Sequence, residues 1–134
     1  MEPTKVVLHY TDGRILKGFT QNFFPNKPLF HFQPADGGNP GQQVEVNVKE
    51  LKGVFFVKDF GGNPSYKEKK NFPEGVKISG KKVEVIFKDG ETLIGSTLGY
   101  DPNRPGFFFF PSDPEWNLIR VYIVAKSVSK VRNI

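Results

Sequence analysis

The sequence predicts an all-β protein built as two tandem five-stranded modules packed together. Three observations carry that expectation. One stretch of the chain occurs twice. Short runs of alternating apolar residues are separated by turns rich in glycine and proline. No window holds a sustained helical period.

The repeated stretch is Lys5-Val-Val-Leu-His-Tyr-Thr-Asp-Gly-Arg-Ile-Leu-Lys-Gly18, which returns as Lys82-Val-Glu-Val-Ile-Phe-Lys-Asp-Gly-Glu-Thr-Leu-Ile-Gly95. The offset is 77 positions, from Lys5 to Lys82, and it holds without a gap to the end of each copy. Phe30, Phe32 and Pro34 meet Phe107, Phe109 and Pro111; Val44, Val46 and Lys49 meet Val121, Ile123 and Lys126. Self-similarity at a fixed offset marks an internal duplication. The expected organisation is a first module over 1–60, a linker over 61–81 and a second module over 82–134. Modules of about 55 residues bury too little surface to be stable alone, so the two are expected to share core.

The elements follow in order. Strand one covers about Lys5–Thr11, where Val6, Leu8 and Tyr10 alternate as Val83, Val85 and Phe87 do. Period two with one apolar face is a half-buried strand. Asp12-Gly13 and Asp89-Gly90 are hairpin turns, since glycine accepts positive φ. Strand two covers about Arg14–Gln21 and Glu91–Leu98, with Gly18 and Gly95 in its middle. A strand-interior glycine in both copies predicts a bend or a close backbone approach, and a small barrel needs such a bend to close. Pro25-Asn26-Lys27-Pro28 and Pro102-Asn103-Arg104-Pro105 are the next loops. Strand three is Leu29–Gln33 and Gly106–Phe110; strand four is Gln43–Val48 and Arg120–Val124. Short turns, Lys49–Leu51 and Lys126–Val128, lead to strand five, Gly53–Lys58 and Lys130–Ile134. The intervening segment reads as a surface linker, with one extra strand near Val76–Ile78.

Five short strands, Asp-Gly in the first turn and a tight turn between strands four and five resemble the Sm-like small barrel. Lys82–Gly95 resembles that family's first motif, and Val121–Val131 its second. Leu51-Lys-Gly-Val-Phe-Phe-Val-Lys-Asp-Phe60 and Gly99-Tyr-Asp-Pro-Asn-Arg-Pro-Gly-Phe-Phe-Phe-Phe-Pro111 look like the hallmark segments of an uncharacterised bacterial family of tandem small β-barrel modules. Related modules occur beside bacterial signalling domains. The Sm resemblance implies RNA binding and assembly by pairing strand four of one barrel with strand five of the next. A tandem chain can make that pairing internally or build a ring, so oligomeric state stays open. The second site of the Sm motif reads Val48-Lys49 and Ala125-Lys126 here, and neither copy reproduces the family's nucleotide pocket. The cyclic di-GMP barrel signature is also missing.

Composition narrows the function. The chain has 134 residues and no cysteine, which excludes disulfides and thiolate metal sites. No apolar run is long enough to span a membrane and no signal-peptide pattern is seen, so a cytoplasmic protein is expected. Net charge is +5, which permits a polyanion partner without requiring one. No nucleophile–base set, phosphate loop or metal motif stands out, so no catalytic, cofactor or metal residue is expected. His9 and His31 read as structural or surface side chains.

Two binding readings remain. The first is a non-catalytic module that binds a protein partner in bacterial regulation. Phe107 and Phe109 point inward with Phe30 and Phe32, leaving Phe108 and Phe110 to face the other side. Those two, with Tyr100, Arg104 and Trp116, would form its surface, and it requires both phenylalanines to be solvent-exposed. The alternative is RNA or single-stranded DNA held by Lys27, Lys49, Arg104 and Lys126, with further cations at Lys67, Lys69 and Lys70. It requires the first four to cluster on one face. An enzyme ranks third.

Overall fold

The computed structural model describes residues 4–25, 27–35, 43–61, 72, 74–75, 78, 80–101 and 103–134. The strand expected near Val76–Ile78 and the cations of Lys67–Lys70 lie outside these residues, Ile78 excepted. Ten strands run in chain order: β1 (Thr4–Tyr10), β2 (Ile15–Thr20), β3 (Leu29–Pro34), β4 (Val44–Asn47), β5 (Leu51–Val57), β6 (Lys81–Phe87), β7 (Thr92–Thr97), β8 (Gly106–Pro111), β9 (Leu118–Val124) and β10 (Val128–Asn133). The helices among the described residues are single 3-10 turns, Val48–Glu50 and Ala125–Ser127. They are repeat equivalents, each turning strand four into strand five.

The hairpin turns form as their sequence dictates. Gly13 and Gly90 take φ of +96° and +95°. The Asp12 carboxylate accepts from Arg14 N–H at 3.0 Å, and the Asp89 carboxylate accepts from Glu91 N–H at 2.9 Å. Gly18 and Gly95 mark a close approach. A β-carbon on Gly18 would overlap the Gln33 carbonyl and the Phe32 ring; one on Gly95 would overlap the Phe110 carbonyl and the Phe109 ring. The third strand and its buried phenylalanine therefore lie across the glycine in each half.

All ten strands belong to one antiparallel sheet, in the order β10-β6-β7-β8-β9-β5-β1-β2-β3-β4. Each half has the order fifth, first, second, third, fourth, and the halves join where β5 pairs with β9. Of the two five-stranded barrels expected to pack together, the all-β class and the strands are seen but closure is not: the sheet is open, with β4 and β10 at its edges. The reason lies in hydrogen bonding. The edge of β5 not used by β1 is taken by β9, so it does not close onto β4 of its own half.

The joint changes what its strands must be. β5 and β9 carry the longest runs of consecutive buried residues, Leu51–Phe56 and Val121–Val124. Strands buried on both sides read as continuous apolar runs rather than alternating ones. Val54, Phe56, Tyr122 and Val124 enter a first core with Leu8, Phe30 and Phe32. Phe55, Val121 and Ile123 enter a second with Val85, Phe87 and Phe109. Each core thus takes side chains from both halves.

A polar lock crosses the same joint. Lys52, on β5, donates to Asp89 at 2.7 Å and Glu91 at 2.5 Å, and its ammonium sits 4.5 Å from the centre of the Phe87 ring. The Ser127 hydroxyl, with one proton to donate, lies within hydrogen-bond distance of the Lys52 and Val124 carbonyls, at 2.9 and 2.7 Å. His9 stacks against Phe55 at 4.1 Å. The hydrogen bond from Lys52 holds the Asp89 carboxyl below its ordinary range. Burial, and then the Lys52 charge, lower the pKa of His9.

Two predictions follow from these contacts. Gly95→Ala should cost about 3 kcal/mol in urea unfolding, as overpacking against backbone does; Leu98→Ala, with Leu98 74% exposed, should cost under about 0.5 kcal/mol. Asp89 is depressed when folded, so its contribution is full above the unfolded value and is lost as pH falls through the folded one. Lys52→Met should therefore be less stable than wild type at neutral pH, with the gap shrinking below about pH 4. A constant gap from about pH 3 to 7 would show that Lys52 acts through packing alone.

Candidate functional site

Four loops meet at the joint. In the first half, Val48 N–H donates to the Pro28 carbonyl at 2.9 Å; in the second, Ala125 N–H donates to the Pro105 carbonyl at 2.9 Å. These equivalent bonds pin each proline loop to the 3-10 turn of its own half. Inside the loops, Lys27 N–H donates to the Phe24 carbonyl and Arg104 N–H to the Asp101 carbonyl, both at 3.0 Å. The loops are thus built alike, and each presents one cation.

Because β5 pairs with β9, the two loop pairs face one cavity of about 520 Å3. Its cations are Lys27, Lys49, Arg104 and Lys126, and among the described residues no carboxylate lines it. Pro25, Pro28, Pro105 and Tyr122 supply apolar wall, and Asn47 and Asn103 supply amides. Asn47 caps its 3-10 turn by accepting from Lys49 N–H at 3.2 Å. Asn103 N–H donates to the Asp101 carboxylate at 2.9 Å. Among the described residues, Arg104 Nε pairs with the Asp101 carboxylate at 4.0 Å, and Lys27, Lys49 and Lys126 form no ion pair. The site therefore brings four cations to one concave surface, three of them without an ion pair among the described residues.

The aromatic candidates lie beside it. A groove of about 690 Å3 includes Tyr100, Arg104, Phe108 and Phe110 among its walls, and shares Pro25, Arg104 and Tyr122 with the basic cavity. Phe108 and Phe110 are half-buried. Phe108 is in ring contact with Tyr122 at 5.3 Å, Phe56 at 6.4 Å and Phe23 at 6.5 Å. Trp116 packs against the second core, away from this groove. The four basic candidates come together, as do four of the five aromatic-set candidates.

Sequence reasoning missed Tyr122 and Arg120. The Arg120 guanidinium lies between two rings, 4.5 Å from Phe56 and 4.8 Å from Phe108. Burial raises the pKa of Tyr122, whose hydroxyl donates to the Pro25 carbonyl at 3.4 Å. Both sit on β9, and their role depends on which strand β9 adjoins; the signal available was an arginine inside an otherwise apolar strand.

Among the described residues no cluster of three His, Cys, Asp or Glu side chains could hold a metal ion, and no helix is long and apolar enough to cross a membrane. Comparison with curated proteins and with solved structures returns no match. A family model does match, over residues 2–134, and its description is Family of unknown function (DUF6982). The chain belongs to that family of unknown function.

Proposed function

We propose that this protein is a non-catalytic cytoplasmic binding module for single-stranded nucleic acid, RNA or single-stranded DNA, held at the basic cavity on the joint. The carrying observation is the convergence of Lys27, Lys49, Arg104 and Lys126 on one concave surface with no carboxylate in its wall among the described residues. Backbone phosphates supply the matching charge at regular spacing, and neutralising them releases counterions.

The same proposal takes each half as an Sm-like module, the first over 1–60 and the second over 82–134, with 61–81 between them. Supporting it are the identical strand order of the halves, the shared Asp-Gly turns and the equivalent 3-10 turns. On this reading the strand-four-to-strand-five contact between modules is supplied within one chain, by β9 and β5. The protein-partner reading needs Phe108 and Phe110 free in solvent. Their half-burial, and the engagement of Phe108 with Tyr122 and Arg120, make it the weaker of the two.

The test is fluorescence anisotropy of labelled U-rich and A-rich RNA over a salt series. Four phosphate contacts predict a log–log slope of about −3, at roughly −0.7 per contact on a single strand. Lys49→Gln with Lys126→Gln should weaken binding and flatten the slope by about 1.4. Absence of binding at low salt would sink the proposal and return the groove to the search for a protein partner.

A further inference from the structure

The two halves carry the same groove, and it is the larger in the second. In each half it lies between the end of the second strand and the third and fourth strands. Its frame is conserved within the chain: Thr20 hydroxyl donates to the His31 carbonyl at 2.9 Å, and Thr97 hydroxyl to the Phe108 carbonyl at 2.8 Å. Its contents are exchanged. Gln21, Asn22, His31, Gln33 and Gln43 of the first half are replaced, 77 positions on, by Leu98, Gly99, Phe108, Phe110 and Arg120.

Those exchanges all act in one direction. In the first half Asn22 bridges the groove to His31. Its side-chain oxygen accepts from His31 N–H at 2.9 Å, and its amide nitrogen lies 3.0 Å from His31 Nδ1. What remains is about 150 Å3. In the second half Gly99 stands where Asn22 does, with nothing within 4 Å of where a β-carbon would project. The groove there is about 690 Å3. Beside it Leu98 is 74% exposed and Tyr100 39% exposed, although both are large and apolar. Tyr100 leans on Phe107 at 4.9 Å, a buried support that fixes its ring at the groove wall.

Resting on the nucleic-acid reading, we infer that this second-half groove is a base-binding subsite. One nucleobase of the bound strand packs against Tyr100, Leu98 and Phe110 while its flanking phosphates occupy the basic cavity. Continuity decides the occupant: the groove and the cavity share Arg104, Pro25 and Tyr122, so Arg104 stands at the point where a base leaves the backbone. Two guanidiniums, Arg104 and Arg120, flank the apolar wall, which suits a π-face attached to an anion. Among the described residues the first-half groove, bridged by Asn22, offers no such subsite.

Anisotropy with A-rich RNA, and competition by inorganic polyphosphate, separate the base from the charge. Tyr100→Ala, and Gly99→Asn, which copies the bridging residue of the first half, should each weaken RNA binding by roughly 5- to 150-fold. Neither should change the salt slope or the affinity for polyphosphate, whereas Lys49→Gln should weaken both ligands. Tyr100→Trp should keep most of the RNA affinity, because it keeps a stacking face. RNA binding unchanged in Tyr100→Ala and Gly99→Asn, with Lys49→Gln still impaired, overturns the base subsite and leaves the basic cavity standing. Wild type that binds neither RNA nor polyphosphate overturns both.

Discussion

Everything distinctive here depends on the hydrogen-bonded contact between β5 and β9. Antiparallel pairing there satisfies backbone groups that would otherwise face solvent on one edge of each half. It makes one sheet of ten strands and gives each core side chains from both halves. Neither module has to stand on the small surface it could bury alone. The lock of Lys52 with Asp89 and Glu91 lies across the same contact, and its two carboxylates are about half exposed, so packing at the joint dominates and the ion pairs orient it.

The contact also explains where the repeats diverge. Phe55 and Phe56 have Arg132 and Asn133 as their repeat partners, and Gly53 has Lys130. β5 is central and covered on both faces, so it carries phenylalanine; β10 is an edge, so it carries charge. The opposite edge, β4, is four residues long where its equivalent β9 has seven. Short edges and edge cations discourage further strand pairing, which limits uncontrolled growth of the sheet. Duplication supplied two copies of one fold, and the different neighbours of each strand then set which residues it could keep.

The candidate site follows from the same geometry. Each half brings one cation from its proline loop and one from its 3-10 turn. Opposed across the joint, four cations share one concavity, and among the described residues no carboxylate lies in its wall. On the proposed reading a polyanion relieves their repulsion, a ligand that the paired loops of both halves would hold together.

The sequence by itself determined the all-β class, the duplication, the turns at Asp12-Gly13 and Asp89-Gly90, and the close approach at Gly18 and Gly95. These are local: alternation sets a strand face, and a missing β-carbon permits a turn or a crossing at that residue. It also named the four basic residues, because their spacing repeats with the fold. Tertiary structure alone decided that the sheet stays open, that Phe55 and Phe56 belong to the joint, and that Phe108 rests on Tyr122 and Arg120 rather than standing free. It also decided that Asn22 bridges one groove and Gly99 leaves the other wide. Each of these depends on which strand lies beside which, and strand pairing between β5 and β9 leaves no periodicity in the chain to read.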